Sequence, residues 1–221
     1  MSLFRGCLAA LVCLLPAAVS AKPIAYEGGT AVMGEFGAGT MQEFQAFYAP
    51  SYRWSAGAGH LKLEDEAQTF TREIGYARGN LLLKRWNLLR AQANVFVWGG
   101  AGSARGSDFD GRRTAWNAGG QVDYETLRFY SSLRSDWQYA HETFSHRIDT
   151  AQLGWAPYAH DWDRLATWLV IQGRTLSGEL YDGVESAALI RLFRNGRWGA
   201  VWVEAGLTQD GDFQSMFMFN F

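Results

Sequence analysis

The chain has 221 residues, 15% of them aromatic and 48% hydrophobic, and a formal charge of -2. So mild a charge provides no electrostatic footprint for nucleic acid or another polyanion. The two cysteines, Cys7 and Cys13, leave nothing downstream for a disulfide framework or a thiolate metal site.

Met1 to Ala21 reads as a secretory signal peptide: one basic residue (Arg5), an apolar run from Cys7 to Leu15, Pro16, and Val19-Ser20-Ala21 as a small-residue cleavage site. Cleavage leaves Lys22 as the first mature residue and residues 22–221 as a single domain without cysteine. Beyond the leader there is no apolar run long enough for a spanning helix, which needs about 20 residues. Gly 25 against Pro 4, with Trp 10, Tyr 9 and Phe 14, is the composition of strands joined by turns. Export, absence of cysteine and abundant aromatics together predict an all-β, up-and-down antiparallel transmembrane β-barrel, apolar outside and polar within.

Such a barrel requires segments of about ten residues that alternate in polarity. In the N-terminal half the expected strands are Gly29 to Gly39, Gln42 to Trp54, Gly57 to Glu64, Thr69 to Arg78 and a long one ending at Ala93 to Gly100. The clearest alternation is Ala115 to Asp123, with Trp116, Ala118, Gly120 and Val122 opposite Asn117, Gly119, Gln121 and Asp123. After a turn at Glu125-Thr126, Leu127, Phe129, Leu133, Trp137 and Tyr139 oppose Arg128, Tyr130, Arg134, Asp136 and Gln138. His146 to Trp155, Arg164 to Arg174, Glu185 to Phe193 and Trp198 to Leu207 continue the pattern, with a turn at Asn195-Gly196. The total is about twelve strands, within a range of roughly ten to fourteen, and an even number places both termini on the periplasmic side. Gly100 to Arg113 and Ala140 to Ser145 then become extracellular connections.

The last strand carries Phe213, Phe217, Phe219 and Phe221 on one parity, Phe221 being the terminal residue. This ending resembles the C-terminal signal of Gram-negative outer-membrane β-barrel proteins. The resemblance implies location in the cell outer membrane, insertion by the barrel assembly machinery, and contact with membrane lipids and lipopolysaccharide. It implies no particular activity.

Function is therefore sought in the interior. Arg128, Arg134, Asp136, Asp149, Arg191 and Glu204 are expected to face inward, because a charge facing lipid at mid-depth costs about 2 to 4 kcal/mol. They would either line a narrow porin-like pore for uptake of small polar solutes or cross-link the interior and close it, leaving a structural or partner-binding barrel. A third reading is a lipid acyl hydrolase at the outer rim, resting on His141, Glu142, Ser145 and His146, since a serine nucleophile needs an adjacent base. Neither a His-x-Ser nor a Gly-x-Ser-x-Gly motif accompanies these residues. The acidic stretches Glu64 to Glu66 and Asp108 to Gly111 complete no calcium loop, and no pattern for a nucleotide or other cofactor occurs. Trp54, Trp98, Trp116, Trp137, Trp155, Trp162 and Trp198 are assigned to interfacial belts, with Trp168 and Trp202 facing inward.

Overall fold

A computed structural model describes residues 24–159, 164–177 and 179–221. The expected leader, His160 and Trp162 lie outside the described residues. Alternating apolar and polar side chains favour extended backbone, and twelve strands form: β1 (Thr30–Gly37), β2 (Met41–Ser51), β3 (Trp54–Glu64), β4 (Thr71–Leu88), β5 (Ala91–Gly106), β6 (Arg113–Thr126), β7 (Phe129–Ala140), β8 (Phe144–Trp155), β9 (Ala166–Leu176), β10 (Glu185–Gly196), β11 (Gly199–Thr208) and β12 (Phe213–Asn220). Each pairs antiparallel with its sequence neighbours, and β1 pairs with β12, so the sheet is a closed up-and-down barrel. Thr30 and Phe221 exchange both backbone hydrogen bonds, at 2.7 and 3.0 Å, which ties down the last residue of the chain.

The barrel is apolar outside and polar inside. Leu133 is 66% exposed, Ile171 61% and Phe129 59%, whereas the inward Arg174 and Arg191 are 1% and 2% exposed. A water-soluble protein does not display such a continuous apolar belt. On β12 the phenylalanines face outward, Gln214, Met216, Met218 and Asn220 face inward, and the Phe221 ring stacks on Phe219 at 5.1 Å.

Large interior side chains find room by lying across glycines. A Cβ at Gly119 would overlap the indole of Trp98 and the Ser135 carbonyl, and one at Gly59 would overlap the ring of Tyr76. On the outer face, Phe217 covers Gly34 of the neighbouring β1 in the same way. Glycine here permits close approach of a ring to the sheet, at some cost in strand propensity.

Three details differ from the sequence reading. The segment Gly79 to Leu88 belongs to β4, and the turn is Leu89–Arg90; no Gly or Pro marks it, and the alternation slips at a bulge between Leu82 and Lys84. β5 continues to Gly106, so the connection expected from Gly100 spans only residues 107–112, because Gly100, Gly102 and Ala104 pair fully with β4 and β6. The turns expected at Glu125-Thr126 and Asn195-Gly196 fall two residues later, at Leu127–Arg128 and Arg197–Trp198. Gly119→Ala should destabilise the barrel by about 1 to 3 kcal/mol through overpacking against Trp98, measured as a lower urea midpoint of protein folded in detergent micelles.

Candidate functional site: the barrel interior

Three polar clusters occupy the interior. At mid-depth, Arg134 on β7 donates from Nε to Asp136 and reaches across the barrel to Glu35 on β1 and Glu43 on β2, each at 3.5 Å. Arg174 on β9 donates to the other Glu35 oxygen at 2.7 Å and lies 3.7 Å from Glu185. Tyr76 donates to Glu43 at 2.5 Å, Trp98 to Asp136 at 2.9 Å and Arg78 to Gln45 at 2.5 Å. The Arg78 guanidinium sits between the rings of Phe47, Tyr76 and Trp98, 4.9 to 5.4 Å from their centroids. Charges so buried persist only when paired, since their desolvation costs several kcal/mol per ion.

Nearer the end that carries the termini, Arg191 on β10 binds Glu204 on β11 at 2.8 and 2.9 Å and donates to Gln152 on β8 at 2.8 Å. Its guanidinium is sandwiched by Tyr130 and Trp202, and Trp202 also donates to Glu204. At the opposite end, Arg72 on β4 contacts His146 at 2.9 Å and Asp108 of the β5–β6 connection at 2.5 Å. Because arginine only donates, His146 Nε2 accepts, and the ring's Nδ1–H points to the Ser177 carbonyl at 3.3 Å. The Arg72 hydrogen bonds hold the Asp108 carboxyl below the usual carboxylate range.

One apolar cluster closes the end away from the termini, and two others flank the interior toward the opposite end. Leu61, Leu63, Ile74, Phe144, Ile148, Leu176 and Leu180 fill the end away from the termini. Tyr130, Trp168, Val170, Leu189, Phe193, Trp202 and Met218 fill one side of the other. Between them lies a cavity of about 70 Å³, lined by residues that include Glu35, Gln121, Tyr130, Ser132, Arg134, Gln152, Gln172, Glu204 and Gln214. From it a row of inward polar residues crosses the sheet in register: Gln172, Gln152, Ser132, Asp123, Asn94 and Arg85. Gln152 donates to Gln172 at 2.8 Å, Asn94 to Asp123 at 2.6 Å and Arg85 to Asn94 at 2.7 Å. Arg85 lies beyond the last β3 pair, Trp54 with Leu81, so the row ends at the rim that carries the termini.

Of the six charges expected to face inward, Arg134, Asp136, Arg191 and Glu204 point into the barrel. Arg128 does not: it stands in the β6–β7 turn, donates to the carbonyls of Ala156 and Pro157 and packs over Trp155. Asp149 lies on the outer face of β8, bound to Arg147 at 2.8 Å, because Ile148 and Thr150 take the inward parity. Trp98, expected in a belt, is turned inward and 7% exposed. Sequence reading missed Glu35, Glu43, Arg72, Arg78 and Glu185; glycines interrupt the alternation of the strands that carry Glu35, Arg72 and Arg78.

The residues considered for lipid hydrolysis do not converge. Ser145 and His146 are adjacent on β8 and so face opposite sides of the sheet. His146 is engaged by Arg72, while His141 and Glu142 form an exposed turn in which His141 contacts Tyr139 at 3.1 Å. Glu64 bonds Lys62 and Asp65 caps Thr69 and Phe70. Among the described residues no group of His, Cys, Asp or Glu side chains is arranged to hold a metal ion.

A closed twelve-stranded antiparallel sheet, with lipid-facing apolar side chains and paired charges within, decides the class. The chain is a closed, up-and-down antiparallel β-barrel with an apolar exterior. No family model and no curated protein matches it. Among solved structures it is similar to the KdgM porin in complex with disordered oligogalacturonate, at 9% identity and a TM-score of 0.48, over 87% of this chain and 96% of that one. It is also similar to CdiB from Acinetobacter baumannii, at 8% identity and a TM-score of 0.32, over 87% of this chain and 59% of that one. Likenesses of this size say nothing about what enters or binds the present barrel.

Removing Arg134 takes a shared cation from three carboxylates and leaves Glu43 with the Tyr76 hydroxyl in place of its ion pair. Arg134→Ala should cost about 3 kcal/mol of stability, and adding Glu43→Gln should restore part of the loss; urea unfolding of the two single variants and the double variant measures the coupling.

Proposed function

We propose that the protein is a narrow outer-membrane passage for small polar solutes, closed in this conformation at its outer end. The reading rests on the polar row from Gln172 to Arg85, which joins the mid-depth cavity to the end carrying the termini. A barrel that needed only mechanical closure has no use for a hydrogen-bonding track along one wall, whereas water and polar solutes move between such groups. That end faces the periplasm, as the terminal end does in bacterial barrels of this kind. Its turns Tyr52-Arg53, Leu89-Arg90, Leu127-Arg128 and Arg197-Trp198 each combine an arginine with a large apolar side chain, which suits the head-group region of phospholipids. The chain reaches the membrane through a cleaved leader ending at Ala21, and Phe213, Phe217, Phe219 and Phe221 form the assembly signal of the closing strand.

A second reading, a non-conducting structural barrel, is favoured by the ion pairs that reach across the interior from Arg134 and Arg174 to Glu35. Planar-bilayer recording separates the two. The passage reading expects small, infrequent current steps from the wild type and a severalfold higher open probability from Leu63→Ala combined with Phe144→Ala, which thins the outer apolar cluster. Silence from both proteins at every voltage would eliminate it.

A further inference from the structure

The charged groups around the mid-depth cavity are already committed to one another. Arg134 is shared among three carboxylates, and Glu204 is held by Arg191 and Trp202. What remains unused is neutral. Gln172 and Gln214, 5% and 4% exposed, both line the cavity, and the Gln172 Nε2 donor and the Gln214 Oε1 acceptor have no partner. A buried amide group left unsatisfied costs about 1 to 3 kcal/mol, so the pair marks a place where something else supplies a donor and an acceptor. Beside these amides Tyr130 and Leu189 give the cavity an apolar part of its lining, Leu189 standing in register between the strands of Gln172 and Gln214.

We propose that this cavity binds one small uncharged polyhydroxylated solute, through the Gln172 N–H and the Gln214 carbonyl, with its carbon skeleton against Tyr130 and Leu189. The volume of about 70 Å³ holds roughly five waters or one molecule of about six non-hydrogen atoms, which is the size of glycerol and excludes a disaccharide. A net charge on the solute is disfavoured, because it would compete with ion pairs that already satisfy each other in a medium of low dielectric constant. The proposal names the solute class of the passage proposed above and rests on that reading for the route by which the solute arrives.

The test is saturation-transfer NMR on the mature protein folded in detergent micelles, with glycerol as the probe and sucrose as the oversized control. Wild-type protein should transfer saturation to glycerol and not to sucrose. Gln172→Leu and Gln214→Leu, each verified as folded by its gel shift on boiling, should weaken glycerol binding at least about fivefold, the effect of one lost hydrogen bond. No transfer to glycerol from the wild type means that the cavity holds water only, and overturns the site whether or not either variant folds. Equal transfer from wild type and both folded variants overturns it as well. Bilayer recording keeps the two readings apart: current without glycerol transfer sinks the site and keeps the passage, and glycerol transfer without current does the reverse.

Discussion

In hydrocarbon no water is available to satisfy a backbone N–H or C=O, so a sheet that crosses a membrane must close on itself. Closure here depends on the pairing of β1 with β12, ended by the two bonds between Thr30 and Phe221. The rest follows from the period of two along each strand. Every outward apolar residue is flanked by inward ones, and twelve strands enclose a width between the side-chain-filled interior of eight and the open water channel of sixteen. Arginine is long enough to cross much of that width, as Arg134 does in reaching Glu35 and Glu43.

An interior built in this way cannot be uniformly apolar or uniformly charged. Unpaired charges would pull in water and separate the walls, and the structure answers with carboxylates shared between guanidinium groups and with aromatic rings laid over them. The rings need floor space, which Gly59 and Gly119 provide. Where long side chains from opposite walls meet imperfectly, a cavity remains, and the glutamines around it keep hydrogen-bonding capacity that the ions have used up among themselves.

The fold was readable in the sequence because the outer face must be apolar on one parity through every crossing. The β6–β7 hairpin shows it most clearly: Trp116, Val122, Leu133 and Trp137 face outward and Gln121, Asp123, Arg134 and Asp136 inward, as their spacing predicts. The interior was less readable, since no external solvent disciplines it. Met41, Leu61 and Ile74 are as fully buried as Glu43 and Arg72, so inward parity does not announce itself by polarity. Asp149 was misplaced because a charge was taken to mean an inward position, although Arg147 pairs with it on the outer face of β8. The unpaired amides of Gln172 and Gln214 have no sequence signal at all, because what distinguishes them is the absence of neighbours brought from other strands.

The most direct test of this account is the reach of water-soluble reagents into the folded barrel. The mature chain is expected to lack cysteine, so a single thiol reports its own position. Ser132→Cys, on the polar row beside the cavity, should react with a small charged methanethiosulfonate in the folded protein, while Ile74→Cys, within the outer apolar cluster, should stay protected until the barrel is unfolded. Protection of both positions in the folded state would contradict a polar passage to the periplasmic end, and equal reaction of both would contradict an apolar seal at the outer one.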